Sequence, residues 1–271
     1  MERYLVIGLG KTGTTVISKT IQNSRSINRY YLEPKHAAFF ENFATDKGDG
    51  VVKILFDHWA QRPRLLNSII YNEMRTNFDK NIFITRDPRA EMISRLNYVA
   101  FPYFQAKRRS DEDAAEWIDL FRRKESDPDF SLLDLIEALR DRFGVRITEG
   151  AARMSEAYAR YVGNLPSTLK SIVRYEDFVT SNLDGHPLAD LFSGDRNVGE
   201  ALQRTRRSGG VDDWKAFLSD RDLVWINETL SDSVDILEYE KDVERGGYID
   251  PENCSLYVAR IIAEAQKTHT R

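Results

Sequence analysis

A chain of 271 residues has room for one large α/β domain or two small ones, and 41% hydrophobic with 30% charged residues excludes a disordered chain. A net charge of −4 excludes a global basic field for wrapping nucleic acid, so any anion site must be local. The single cysteine, Cys254, excludes an intrachain disulfide. The apolar start is only about four residues long before it meets glycines, which is not a signal-peptide pattern. No apolar run approaches the roughly 20 residues of a membrane helix. The expectation is a soluble, cytoplasmic protein with no membrane or nucleic-acid partner.

In chain order, residues 3–7 (RYLVI) are an apolar run ending in glycines, which predicts a buried strand. Residues 14–22 (TTVISKTIQ) predict a helix with Val16, Ile17 and Ile21 on its apolar face. Further strands are expected at 51–56 (VVKILF), 81–85 (NIFIT) and 169–173 (LKSIV). Helices are expected at 64–76, after Pro63, and at 88–98, with Pro88 in the first turn. Strands alternating with helices imply right-handed crossovers and a largely parallel sheet covered on both faces. Residues 101–163 read differently: 111–124, 131–143 and 148–162 are amphipathic and charge-rich. Because strand-like sequence resumes at Leu169, this stretch reads as a helical insertion within one domain spanning 1–271. After Gly194 the chain is helical again, ending in a packing helix at 255–266.

The loop in VIGLGKTGTT fits three nucleotide sites. Gly8, Gly10 and Gly13 match the dinucleotide fingerprint, for which Glu33 stands where the acidic ribose ligand would end the second strand. Gly8 through Thr14 nearly match the P-loop, but Thr14 stands where the phosphate-binding lysine belongs, so the γ-phosphate clamp is missing. In the third reading, Lys11 lies in the loop with Thr12 and Gly13, and Thr14 and Thr15 open the helix. Backbone N–H groups and the helix dipole then favour one phosphate group, with Lys11 as a point charge.

This third arrangement resembles the 5′-phosphosulfate loop of the sulfotransferases that use 3′-phosphoadenosine 5′-phosphosulfate (PAPS). The resemblance extends to TRDPRAEMISRL, where Arg86 and Ser94 match the arginine and serine that bind the 3′-phosphate in that family. In VRYEDFV, Tyr175 corresponds to the tyrosine near the adenine. RRSGGVDDWKAFL resembles the family's R-K-G-x-x-G-D-W-K segment, placing Arg207, Ser208 and Gly209 on the 3′-phosphate loop. The family usually has lysine where Ser208 stands, so that contact is either weaker here or supplied by another residue, with Arg206 the candidate. The four segments keep the family's order from residue 6 to residue 215.

The resemblance implies a P-loop-kinase-like α/β fold: a central parallel sheet, flanking helices and a helical insertion covering the acceptor site. It also implies transfer of a sulfuryl group from PAPS to a hydroxyl or amine of a small-molecule or carbohydrate acceptor, releasing 3′,5′-adenosine bisphosphate (PAP). Such transfer relies on positioning and electrostatics and does not require a metal. The histidines His36, His58, His186 and His269 are scattered, without zinc-like spacing. Lys11 is the candidate for stabilising the leaving oxygen. For the general base, many family members use a histidine in a K-T-H segment; here VVKILFDHW displaces it to His58. Carbohydrate-specific branches use a glutamate soon after the first helix, and Glu33 in YYLEPK, the preferred candidate, stands at that place. The rival readings are a kinase of the same architecture, a dinucleotide-dependent oxidoreductase, and a protein that binds PAPS or PAP without turnover.

Overall fold

The computed structural model describes residues 1–106, 109–199 and 210–267. Two compact units emerge, Met1–Arg86 with Glu156–Leu202, and Asp87–Ser155 with Gln203–Arg271. The strands are β1 (Arg3–Gly8), β2 (Tyr30–Leu32), β3 (Gly50–Leu55), β4 (Lys80–Thr85) and β5 (Ser171–Arg174). The helices are α1 (Thr14–Ser24), α2 (Ala37–Thr45), α3 (Pro63–Ile70), α4 (Pro88–Tyr98), α5 (Ala100–Ala106) and α6 (Asp111–Ser126). They continue with α7 (Leu132–Phe143), α8 (Thr148–Asn164), α9 (Tyr175–Thr180), α10 (Asp220–Ile236) and α11 (Ser255–Lys267).

All five strands lie in the first unit and form one sheet, ordered β2-β3-β1-β4-β5, with every pair parallel. Helices flank it, and α1 packs on β1 and β3. Alternation in the strands supplies two buried faces. Tyr4, Val6, Val51, Ile82, Ile84 and Val173 join Ile17 and Ile21 of α1 in one cluster. Leu5, Ile7, Val52, Ile54 and Phe83 point the other way and are equally inaccessible. Val16 is only partly covered, whereas Thr14, Ser18 and Thr20 of α1 are buried.

Local rules account for most boundaries. Helix α4 begins on Pro88, with Asp87 Oδ1 accepting the Arg89 N–H at 2.8 Å, and spans the predicted residues. Helix α3 starts at Pro63 but stops at Ile70, short of the expected residue 76. Asn72, Arg75 and Asn77 take left-handed φ values of 61°, 55° and 52°, which no helix continues through. Strand β5 starts later than expected because residues 167–169 form a 3₁₀ turn.

In the second unit, α6, α7 and α10 each open with a capping box: Ser110 with Asp113, Ser131 with Asp134, and Ser219 with Asp222. Asp222 is fully buried and its carboxylate also accepts the N–H groups of Leu132 and Leu133, at 2.9 and 3.1 Å. Trp117, Phe121, Leu135, Ile226 and Val258 centre its apolar core. Among the described residues no helix is long and apolar enough to cross a membrane.

Candidate functional site

In the strand order of the first unit, the chain leaving β1 returns to β2 on one side, while β4 leads toward β5 on the other. The loops after β1 and β4 therefore diverge, and this switch point at the carboxyl edge is where open parallel sheets bind ligands. The loop after β1 is residues 9–13, and Arg86 follows β4 directly.

Gly8 ends β1 where no side chain fits. A Cβ there would meet Thr14 Cγ2 at 2.6 Å, Thr12 Oγ1 at 2.7 Å and the Ile84 carbonyl at 3.1 Å. The loop then turns through two left-handed residues, Lys11 at φ 73° and Gly13 at φ 81°. The Gly10 N–H donates to Asp57 Oδ2 at 2.8 Å, which anchors the loop to the end of β3. Thr12 is buried and its hydroxyl donates to the Leu9 carbonyl at 2.9 Å, so it shapes the loop from within. Gly13 caps α1 with no side-chain hydrogen bond, and the first turn holds no acidic residue. The positive end of α1, at Thr14 and Thr15, is thus uncompensated by its own helix.

Arg86 closes the other side. Its side chain is buried, with 8% exposure, and Nη1 donates to the Lys11 carbonyl at 2.8 Å. The guanidinium lies 4.7 Å from the ring centroid of Tyr175, the first residue of α9. Its Nε is buried and makes no hydrogen bond. Such an unmet N–H on a charged group costs about 1–3 kcal/mol, which an anionic ligand would recover. The Tyr175 ring also lies over Gly13, where a Cβ would come within 2.2 Å of Cδ2.

Gly13→Ala therefore meets two obstacles, the left-handed φ and the Tyr175 ring. It is expected to destabilise by roughly 1–3 kcal/mol, read as a fall of several degrees in a thermal melt. Adding Tyr175→Ala should restore only the share due to the ring. Full restoration by that second change would mean that φ carries no strain here.

A second cluster forms at the carboxyl edge of β2 and β3. Lys53 lies in β3 with 2% exposure, and Glu33 follows β2 in a left-handed conformation, φ 53°. The Glu33 N–H donates to the Lys53 carbonyl at 2.7 Å, and Lys53 Nζ donates to Glu33 Oε1 at 2.5 Å. His58 Nδ1 stands 4.0 Å from Glu33 Oε2, close enough for charges to interact but too far for a hydrogen bond, and Nδ1 makes none. Burial pulls the Lys53 ammonium below its ordinary titration range, against the opposing charges of Glu33 and Asp57. Burial, reinforced by Lys35, likewise lowers His58, so its imidazole is neutral at pH 7. Asp57 and His58 are neighbours in sequence, so the turn after β3 joins this cluster to the glycine loop.

Lys11, Thr12, Gly13, Thr14, Thr15, Arg86 and Tyr175 thus come together, and Glu33 comes together with His58. Ser94 is buried on α4 in the second unit. Arg207, Ser208 and Gly209, with Arg206, lie outside the described residues. In the second unit Trp214 is buried with the Arg89 guanidinium 5.0 Å above its ring, and Arg89 forms a two-point ion pair with Asp87. Lys53 and Asp57 were missed as site residues. A lone charge inside VVKILF, and an acid directly after that strand, were the available signals. Among the described residues no group of three His, Cys, Asp or Glu side chains is arranged to hold a metal. The chain matches no known protein-family profile, no curated protein and no solved structure.

Proposed function

We propose that this protein is a PAPS-dependent sulfotransferase with a P-loop-kinase-like architecture, acting on a hydroxyl or amine of a small-molecule or carbohydrate acceptor. The observation that carries this reading is the junction of the uncapped start of α1 with Arg86, whose buried Nε lacks a partner and whose guanidinium stacks on Tyr175. An uncompensated helix start and a buried arginine in one place favour an anionic ligand. The parallel order β2-β3-β1-β4-β5 differs from the 3-2-1-4-5-6 order of dinucleotide-binding folds, which weighs against an oxidoreductase. Thr14 in place of the P-loop lysine weighs against an ATP-dependent kinase.

In this reading the loop N–H groups and α1 take the 5′-phosphosulfate and Arg86 serves the 3′-phosphate, the group to which the resemblance also assigns Ser94 and the Arg207–Ser208–Gly209 segment. Tyr175 serves the adenine side. The acceptor oxygen or nitrogen bonds to sulfur as the bond from sulfur to the bridging phosphate oxygen breaks. Glu33 takes the acceptor proton, and Lys11 meets the charge growing on the leaving oxygen. PAP departs.

A thermal-shift panel tests the donor site. PAP at 100 times its dissociation constant stabilises the native state by about 2.7 kcal/mol, and Arg86→Ala should abolish the shift. ATP with Mg²⁺, or NAD(P)H, should give none. A response to either of those with silence from PAP overturns the reading. PAP binding without sulfuryl transfer to any acceptor in a screen would make the chain a binding protein.

A further inference from the structure

Tyr158, on the part of α8 that belongs to the first unit, is 1% exposed and reaches the underside of the switch point. Its hydroxyl lies 2.9 Å from the Ile84 carbonyl and 3.2 Å from the Ile7 carbonyl. The Ile84 carbonyl lies on the last rung of the β1–β4 ladder, where Gly8 pairs with Ile84, and the Ile7 carbonyl one rung before it, where Ile7 pairs with Phe83. One rung further the ladder would set Leu9 opposite Thr85, and no such pair forms. The strands instead part, one toward the left-handed Lys11 and the other toward Arg86. A single hydroxyl proton shared between two carbonyl oxygens, as a three-centre bond, ties the two strands together just before they diverge.

The surroundings tie this hydroxyl to the loop. The Ile84 carbonyl is also the atom that a Cβ at Gly8 would meet at 3.1 Å. The Tyr158 ring packs on Phe56, centroids 5.2 Å apart, and the next residue, Asp57, holds the Gly10 N–H. Ile84 stands two residues before Arg86, whose guanidinium grips the Lys11 carbonyl.

We propose that Tyr158 is a positioning residue. Its hydroxyl fixes the separation of β1 and β4 at their carboxyl ends and so sets how the glycine loop meets Arg86. The functional consequence rests on the donor-site reading above; the effect on the loop does not.

The test is Tyr158→Phe in the full chain, which keeps the ring on Phe56 and removes only the hydroxyl. Tyr161→Phe is the comparison: its ring also lies 5.2 Å from Phe56, and its hydroxyl donates to Asn67 Oδ1 at 2.6 Å, away from the loop. Amide hydrogen exchange is read by mass spectrometry on ligand-free protein, for peptides covering residues 8–16. Tyr158→Phe should speed exchange there about tenfold, and Tyr161→Phe less than about twofold, even where both melt at similar temperatures. The dissociation constant for PAP should weaken about tenfold in the first and stay level in the second. Equal loop exchange in the two variants, or wild-type exchange in Tyr158→Phe, overturns the proposal. A Tyr158→Phe protein that fails to fold assigns the hydroxyl to global stability and overturns it as well. Faster loop exchange in a protein whose wild type ignores PAP supports the positioning role and removes the nucleotide reading instead.

Discussion

Lys11→Ala is expected to lower kcat for sulfuryl transfer by about 10²–10³-fold, the usual loss when a group aimed at developing charge is removed. The fold should survive. Arg86 grips the Lys11 carbonyl, not its side chain, so truncation leaves that bond in place. Alanine inherits the left-handed φ of 73° that lysine already tolerates, so no new backbone strain arises. An interaction made chiefly in the transition state shows in kcat and kcat/KM together. PAP affinity should accordingly change far less than turnover. Steady-state kinetics at saturating PAPS, with the dissociation constant for PAP measured separately, separates the two. A kcat within threefold of wild type would remove Lys11 from the chemistry.

Glu33→Gln is expected to reduce kcat by about 10²–10⁴-fold, whereas His58→Asn should change it by less than about tenfold. Both side chains face the same small volume, with His58 Nδ1 4.0 Å from Glu33 Oε2, so the acceptor's hydroxyl could be served by either. What favours Glu33 is its support. Lys53 holds Oε1 and the Lys53 carbonyl holds the Glu33 N–H, which fixes Oε2 in place. His58 Nδ1 is held by no hydrogen bond. The reverse result, a large loss for His58→Asn alone, would give the proton to the imidazole; that activity should then fall below the lowered titration of His58, where the ring is charged.

Glu33→Gln also has a stability signature. It leaves the buried Lys53 ammonium without its anion, a loss of about 1–3 kcal/mol at neutral pH. Removing Glu33 also removes the leading charge that holds Lys53 up, so Lys53 in the variant titrates lower still. In the unfolded chain it titrates near 10.5. The deficit relative to wild type is full while Lys53 is charged in both folded proteins. It shrinks as the pH rises from the variant's lower Lys53 titration up to that of the wild type, and is smallest above both. Melting curves at neutral and alkaline pH should show the two proteins converging. A gap independent of pH would place the loss in packing and not in the ion pair.

Much of the site could be read from neighbouring residues in the chain. The glycine loop, α1 behind it and the start of α4 at Pro88 depend on apolar runs, glycine φ freedom and proline geometry, all acting within a few residues. Pairings across the sheet could not be read this way. Glu33 meets Lys53 because Leu32 registers with Lys53 across β2 and β3, a match set by the whole sheet. Arg86 meets Lys11 and Tyr175 only because β1 and β5 both flank β4. Thr12 reads as a ligand by position, yet its hydroxyl turns inward to Leu9, as short hydroxyl side chains often bond nearby backbone.

The amino-acid sequence by itself determined the strand and helix alternation, the parallel sheet, and the supply of cationic and hydroxyl groups at two strand ends. It did so because strand patterning, caps and glycine turns answer to local sterics and to the hydrophobic period. Tertiary structure alone decided the strand order, the stacking of Tyr175 on Gly13 and Arg86, and the bridging of Ile7 and Ile84 by Tyr158. The stacking of Tyr175 on Gly13 joins residues 162 positions apart along the chain. Burial summed over the whole sheet selects such arrangements, and no short window of sequence contains that sum.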